Sequence, residues 1–273
     1  MAATIAVLSL KGGTGKTTTV RTLADVLRRL DLDVLAIDLD PQGNLSDYFD
    51  VPPDATPTVA DVLAGNAKAR DAEHGGVMPA SPILAEVERS LSGKMGRELV
   101  LRKALKDARR AHDVILIDCP PALGLLTVNG LVAADWALIS SEAQYFALQG
   151  VEGALEVVQQ AREYYNDDLR WLGVVLNIAD MRTVHSREAF ESLKEHFGEK
   201  VFATVIRSSI AYAESAERAT SIVDHRPDLG VDYLLLADEV LERVGLDAPR
   251  QKLGQLIAEA GASASGRASA ARP

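Results

Sequence analysis

A single cysteine, Cys119, stands among the 273 residues, so the chain can build neither a disulfide framework nor a thiolate-held zinc cluster. No stretch approaches the ~20 uninterrupted apolar residues of a membrane-spanning helix, although 47% of the residues are hydrophobic. The chain runs from Met1 directly into an apolar strand pattern, leaving no room for a signal peptide. With one cysteine, that start fits a reducing cytoplasm. Basic residues are outnumbered, 29 against 39 acidic, for a net charge of −10. That balance argues against a surface that attracts nucleic acid as a whole, but leaves room for a local basic patch or one assembled on dimerisation. No internal repeat is present.

What is there is an alternation of short apolar runs with helical periodicity, which predicts an α/β fold: a doubly wound, mostly parallel sheet with helices on both faces. Thr4–Leu10, Asp33–Asp38, Val114–Asp118, Ala137–Ser140, Leu172–Asn177 and Val201–Ile206 read as buried strands, and Gly75–Pro79 as a short edge strand. Helices are expected over Thr17–Leu30, over Thr58–Leu63 with Thr58 as cap, and over Glu98–Arg110 with Leu99, Leu101 and Leu105 inward. Two more are expected from about Leu148 to Tyr164 and over Asp232–Val244. One domain spans residues 1–245, followed by an extension over 246–273 that begins as a short helix. From Gly261 that extension is Ala, Ser, Gly and Arg, with too little apolar surface to fold. Lys252–Glu259 has too few bulky apolar residues for a membrane anchor.

The first strand-to-helix turn reads Lys11-Gly12-Gly13-Thr14-Gly15-Lys16-Thr17-Thr18. Glycines let the backbone approach phosphate oxygens, and a helix opening there aims N–H groups and its dipole at an anion. Lys16 supplies a charge for β/γ-phosphates and the Thr17 hydroxyl a ligand for Mg²⁺. Asp38 and Asp40 follow the second strand, where open α/β sheets hold their ligands. Physically, a carboxylate at Asp40 could orient an attacking water and hold a Mg²⁺-bound water. Asp118 ends the cleanest strand, the position from which a carboxylate reaches the surroundings of Mg²⁺. Cys119 beside it has no accompanying base and reads as a small buried side chain.

Lys-Gly-Gly-x-Gly-Lys-Thr, with its early lysine, resembles the deviant Walker A motif of the ParA/Soj and MinD group of P-loop ATPases. Asp38-Leu39-Asp40-Pro41-Gln42 and Asp118-Cys119-Pro120-Pro121 continue the likeness, which runs from about Ile5 to Val244 and is nearest to small Soj-type ParA chains. The resemblance implies a P-loop NTPase fold, ATP and Mg²⁺ as cofactors, and a homodimer closing around two nucleotides. It implies that Lys11 acts in the opposite subunit, that Asp40 is required for hydrolysis, and that Thr17 and Asp118 serve the metal. Asn177 is a candidate for the adenine edge or a plain strand-end asparagine. Slow hydrolysis stimulated by a ParB-like protein or a cargo adaptor is expected, in the cytoplasm and in association with the nucleoid. Non-specific DNA is a further implied partner. Lys194, Lys200, Arg207, Arg218 and Arg226 are candidates for it, but Ser208, Ala211, Thr220 and Asp224 stand where basic residues are usual in Soj-type chains. A DNA patch and a solvated mixed-charge face both stay open, as does a regulatory switch that binds proteins rather than DNA. A membrane partner is not expected.

Overall fold

The computed structural model describes residues 1–144 and 146–257. Its strands are β1 (Ala3–Leu8), β2 (Val34–Asp38), β3 (Val77–Met78), β4 (Val114–Asp118), β5 (Trp136–Glu142), β6 (Arg170–Ala179) and β7 (Val201–Arg207). They form one sheet in the order β3-β2-β4-β1-β5-β6-β7, every neighbouring pair parallel. Only an isolated bridge between His74 and Val77 is antiparallel.

Side-chain alternation along the central strands creates two cores. Ile5 and Val7, Val34 and Ala36, and Val114 and Leu116 enter one, with the helices Lys16–Arg29 and Pro227–Val244. Ala6 and Leu8, Leu35 and Ile37, and Ile115 and Ile117 enter the other, with helices that include Leu84–Leu91, Leu125–Ala133 and Ala147–Tyr164. A strand covered on both faces needs apolar residues at every position, which explains the unbroken runs. Among the described residues no helix is long and apolar enough to cross a membrane.

The helix expected over Glu98–Arg110 is interrupted. A 3₁₀ turn at Arg97–Leu99 leads into Val100–Ala104, and a separate turn of helix spans Ala108–Ala111. Leu101 and Leu105 are buried as expected, but Leu99 is only half-buried. Tertiary bonds outcompete the continuous helix. The Asn129 side chain takes the Leu101 N–H and donates to the Arg97 carbonyl. Arg109 reaches the Ala133 carbonyl and the Asp135 carboxylate. The closing helix starts earlier than expected, with Pro227 in its first turn.

Beyond Gly245 the described residues are helical from 247 to 257. Leu253 is fully buried in the core of the main domain, and Lys252 pairs with Asp31. The first part of the extension therefore packs onto the domain. The tail expected from Gly261 lies outside the described residues.

His112 ties the short edge strand to the sheet. Its side chain is 6% exposed, Nε2 lies 3.2 Å from Glu73, and Nδ1 lies 3.0 Å from the Ala108 carbonyl. Burial alone would lower its pKa, but the Ala108 carbonyl with the Glu73 and Asp33 carboxylates outweigh it, and the net shift is upward. A raised folded pKa means stabilisation present below the unfolded value near 6.5, lost as pH rises through the folded pKa. His112→Gln is expected to remove about 0.5–1 kcal/mol at acidic pH and little at pH 8. Urea denaturation of both proteins across that range checks this; a constant difference at all pH values refutes it.

Candidate active site

The turn after β1 folds as a cradle because two glycines take backbone conformations that side chains resist: Gly13 has φ +76° and Gly15 φ +82°. No atom stands within 4 Å of the space where a Cβ would sit on Gly12 or Gly13. The helix Lys16–Arg29 starts directly from Gly15, so its N-terminal N–H groups face the cradle. Serines fasten the loop. Ser9 Oγ donates to the Lys11 carbonyl at 2.7 Å and accepts from Thr14 Oγ1 at 2.9 Å. Ser140 Oγ donates to the Thr14 carbonyl at 2.6 Å.

The two lysines of the loop part ways. Lys16 is 7% exposed, and its ammonium donates to Ser9 Oγ at 3.0 Å and to the Lys11 carbonyl at 3.3 Å. Burial lowers its pKa, against the pull of the Asp118 charge. Lys11 is exposed, and its ammonium stands 5.9 Å from the centre of the Phe146 ring.

Asp38, Asp40 and Asp118 converge at the carboxyl ends of β2 and β4, which pair Asp38 with Asp118 in register. Asp38 is fully buried and serves the backbone, accepting from Ser46 N and Oγ and from Asp40 N. Ser46 Oγ in turn accepts from Ala80 N. Asp40 is half-buried, faces the cleft, and accepts from Gln42 N at 3.0 Å. Asp118 accepts a 2.7 Å hydrogen bond from Thr17 Oγ1, while its other oxygen, Oδ1, is buried without a partner. Burial first, and then the Asp38 charge, push the Asp118 carboxyl well above its usual range; burial does the same to Asp38. A carboxylate pair that burial disfavours and one orphaned oxygen fit a nearby cation. Among the described residues no group of three or more His, Cys, Asp or Glu could hold a metal by itself. That suits Mg²⁺, which is held by one or two protein groups together with substrate phosphates.

From the cradle a cleft of about 610 Å³ extends past Asp40 and Asn177 to a wall from Ile206 to Tyr212, with Tyr48 and Tyr233. Asn177, at 1% exposed, lies near the end of β6, which runs two residues further than the strand expected to stop there: Nδ2 donates to Ser140 Oγ at 2.7 Å and Oδ1 is buried without a partner. A Cβ on Gly15 would stand 3.2 Å from its Cγ. Gly12, Gly13, Thr14, Gly15, Lys16, Thr17, Thr18, Asp40 and Asn177 all line this one cleft. Lys11 does not line it; it lines a separate small pocket with Gln144 and Phe146. The cysteine is inert: Cys119 is fully buried, and burial raises its thiol pKa.

A family model described as an AAA domain matches residues 2–171. The chromosome-partitioning ATPase Soj of Thermus thermophilus is 38% identical over 245 residues, covering 88% of this chain and 96% of that protein. This chain belongs to the Soj/ParA family of P-loop ATPases. Among solved structures, cobyrinic acid a,c-diamide synthase from Mycobacterium smegmatis with bound ADP and magnesium is 33% identical, with a TM-score of 0.73 and coverage of 82% and 95%. A Cyanothece McdA–ATP complex is 26% identical, with a TM-score of 0.79 and coverage of 89% and 96%.

Of the five basic residues that the Soj/ParA resemblance suggests for DNA, Arg207 and Arg226 meet on Asp228, whereas Lys194 and Lys200 lie at the other end of β7. Lys194 and Lys200 lie at the amino end of β7, where they donate to the carbonyls of Val201 and Trp171. Arg207 ends β7 at the nucleotide cleft and pairs with Asp232 at 2.9 Å. Arg226 pairs with Asp228 at 2.9 Å, and Arg218 is exposed at the end of the Ala211–Glu217 helix. Residues missed from sequence are Ser9, Ser46 and Ser140, which fasten the loop and Asp38, and the tyrosines of the cleft wall. A serine at the carboxyl end of a strand was the one available signal, shared by Ser9 and Ser140.

Proposed function

We propose that the protein is a ParA-type ATPase that closes into a dimer around two Mg²⁺–ATP and reopens on partner-stimulated hydrolysis, partitioning or positioning a cargo in the cytoplasm. The observation that carries this reading is the divergence of the two loop lysines. Lys16 is buried inside the cradle, whereas Lys11, at the start of the same loop, is exposed beside the Phe146 ring. One charge therefore serves the chain's own nucleotide, and the other is available to a nucleotide held by a second protomer.

In this mechanism the N–H groups of Gly12 to Thr18 and the Lys16 ammonium bind the β- and γ-phosphates. Thr17 and Asp118 would hold Mg²⁺, which would supply neutralisation of phosphate charge. Asp40 orients the attacking water. Asn177 offers its free Oδ1 to the adenine amino group. Charge developing on the transferred phosphoryl group is met by Lys11 from the partner protomer.

Light scattering after size exclusion with ATP tests this. The wild-type protein should shift to dimer, and Lys11→Ala should bind ATP yet stay monomeric. An ATP-dependent dimer of Lys11→Ala would sink the in-trans role.

DNA contact is a weaker part of the reading, because Arg207 and Arg226 are each held by a carboxylate. A family member that acts on a protein surface instead is favoured by that pairing. Binding of duplex DNA by the ATP-bound protein across a salt series separates the two, since phosphate contacts set the slope.

A further inference from the structure

A second cleft, of about 740 Å³, opens at the amino-terminal ends of β5, β6 and β7, the opposite edge of the sheet from the phosphate loop. Both tryptophans of the chain, Trp136 and Trp171, line it. Buried Val158, Leu169 and Leu172 give it an apolar floor. The indole Nε1 of Trp171 is buried with no hydrogen-bond partner, which is costly unless an acceptor arrives.

The charge around this floor runs against the acidic balance of the chain. Arg162, Arg170, Lys200 and Arg243 line the cleft, with Glu199 as its one acidic member. Two of the cations are committed to the fold. Arg243 donates to the carbonyls of Leu172 and Val201, and Lys200 to that of Trp171. The other two are exposed and form no ion pair among the described residues. The Arg170 guanidinium lies 5.3 Å from the centre of the Trp136 ring, a cation–π contact that restrains it beside the cleft.

We propose that this cleft is a docking site for a short acidic segment of a partner protein. A bulky apolar side chain seats between the tryptophans, and flanking carboxylates meet Arg162 and Arg170. A concave apolar floor with a polar rim is the anatomy of a peptide pocket. Nucleic acid fits less well, because a phosphate backbone needs a continuous track of cations. Here only two are uncommitted; Asp167 and Asp168 stand just before Arg170 in the chain, and Glu199 lines the cleft. The site lies away from the nucleotide cleft and does not rest on the dimer mechanism.

Because the cleft holds both tryptophans, selective tryptophan fluorescence reads it directly. The probe is the acetylated, amidated peptide Glu-Asp-Leu-Phe-Glu-Asp, titrated into the full-length protein. A saturable spectral change is expected, weakened about tenfold or more in the Arg162→Glu/Arg170→Glu protein. Basal ATP hydrolysis should be unaltered in that variant. Arg162→Gln/Arg170→Gln, a milder change, should weaken binding in the same direction and guards against a folding defect. A linear response up to millimolar peptide overturns the proposal, as does an affinity unmoved by both double variants. A variant-sensitive response to a duplex oligonucleotide at lower concentration than to the peptide also overturns it, in favour of nucleic acid.

Discussion

Asp40→Ala is expected to bind ATP, dimerise and then stall, with phosphate release slowed by a factor of about 100 or more. The argument starts from the division of labour between two aspartates that are neighbours in sequence. Asp38 is fully buried and accepts three hydrogen bonds from Ser46 and Asp40. Its carboxylate is committed to holding the Ser46 turn, and Asp38 does not line the cleft. Asp40 has only the Gln42 N–H on one oxygen and lines the cleft beside the phosphate loop. Removing Asp40 therefore takes away a group for orienting water without touching the core, so nucleotide binding and thermal stability should survive. Asp38→Ala should do the reverse. It strands three buried donors, at about 1–3 kcal/mol each before relaxation, and lowers the unfolding midpoint first. Phosphate-release kinetics and size-exclusion light scattering on both variants check the contrast. Hydrolysis at the wild-type rate by Asp40→Ala removes Asp40 from the mechanism.

The strands of this fold could be read from sequence because a parallel sheet covered on both faces demands continuous apolar runs, and Ile5–Leu8 and Val114–Ile117 supply them. The phosphate loop was equally open to reading, since its chemistry depends on consecutive residues. Elsewhere the decisive partner lay far away in the chain. Nothing near Leu101 announces that Asn129 will take its N–H, 28 positions on, and divide the expected helix. Likewise Ser46 gains its role only when β2 brings Asp38 beside it and Ala80 folds over both. The helix Leu84–Leu91 buries Leu84, Val87 and Leu91, a helical spacing that was available in the sequence and passed over. Lys200 and Arg207 part for a different reason. Proximity in sequence around β7 does not survive a strand that carries Lys200 and Arg207 to opposite edges of the sheet.

Lys16→Ala should weaken ATP binding by a factor of about 100, from the loss of one or two charge-assisted hydrogen bonds of about 1.5–3 kcal/mol each. The ammonium lies inside the cradle, held by Ser9 Oγ and the Lys11 carbonyl. Both holders are neutral, so phosphate oxygens can take their place at a gain in charge pairing while the side chain moves little. The ammonium also offsets the buried carboxyls, since Lys16 is one of the two influences that pull the Asp118 pKa down, after the Thr17 hydrogen bond. Without it, the Asp118 carboxyl is pushed further upward, and Mg²⁺ binding should become steeper in pH as well as weaker. Titration of a fluorescent ATP analogue at several pH values and Mg²⁺ concentrations reads both effects. Lys16→Arg distinguishes charge from shape: a guanidinium restores the charge but not the compact fit beside Ser9, so only partial recovery is expected. Tight, pH-independent nucleotide binding by Lys16→Ala would mean that the backbone N–H groups of the loop carry the phosphates alone.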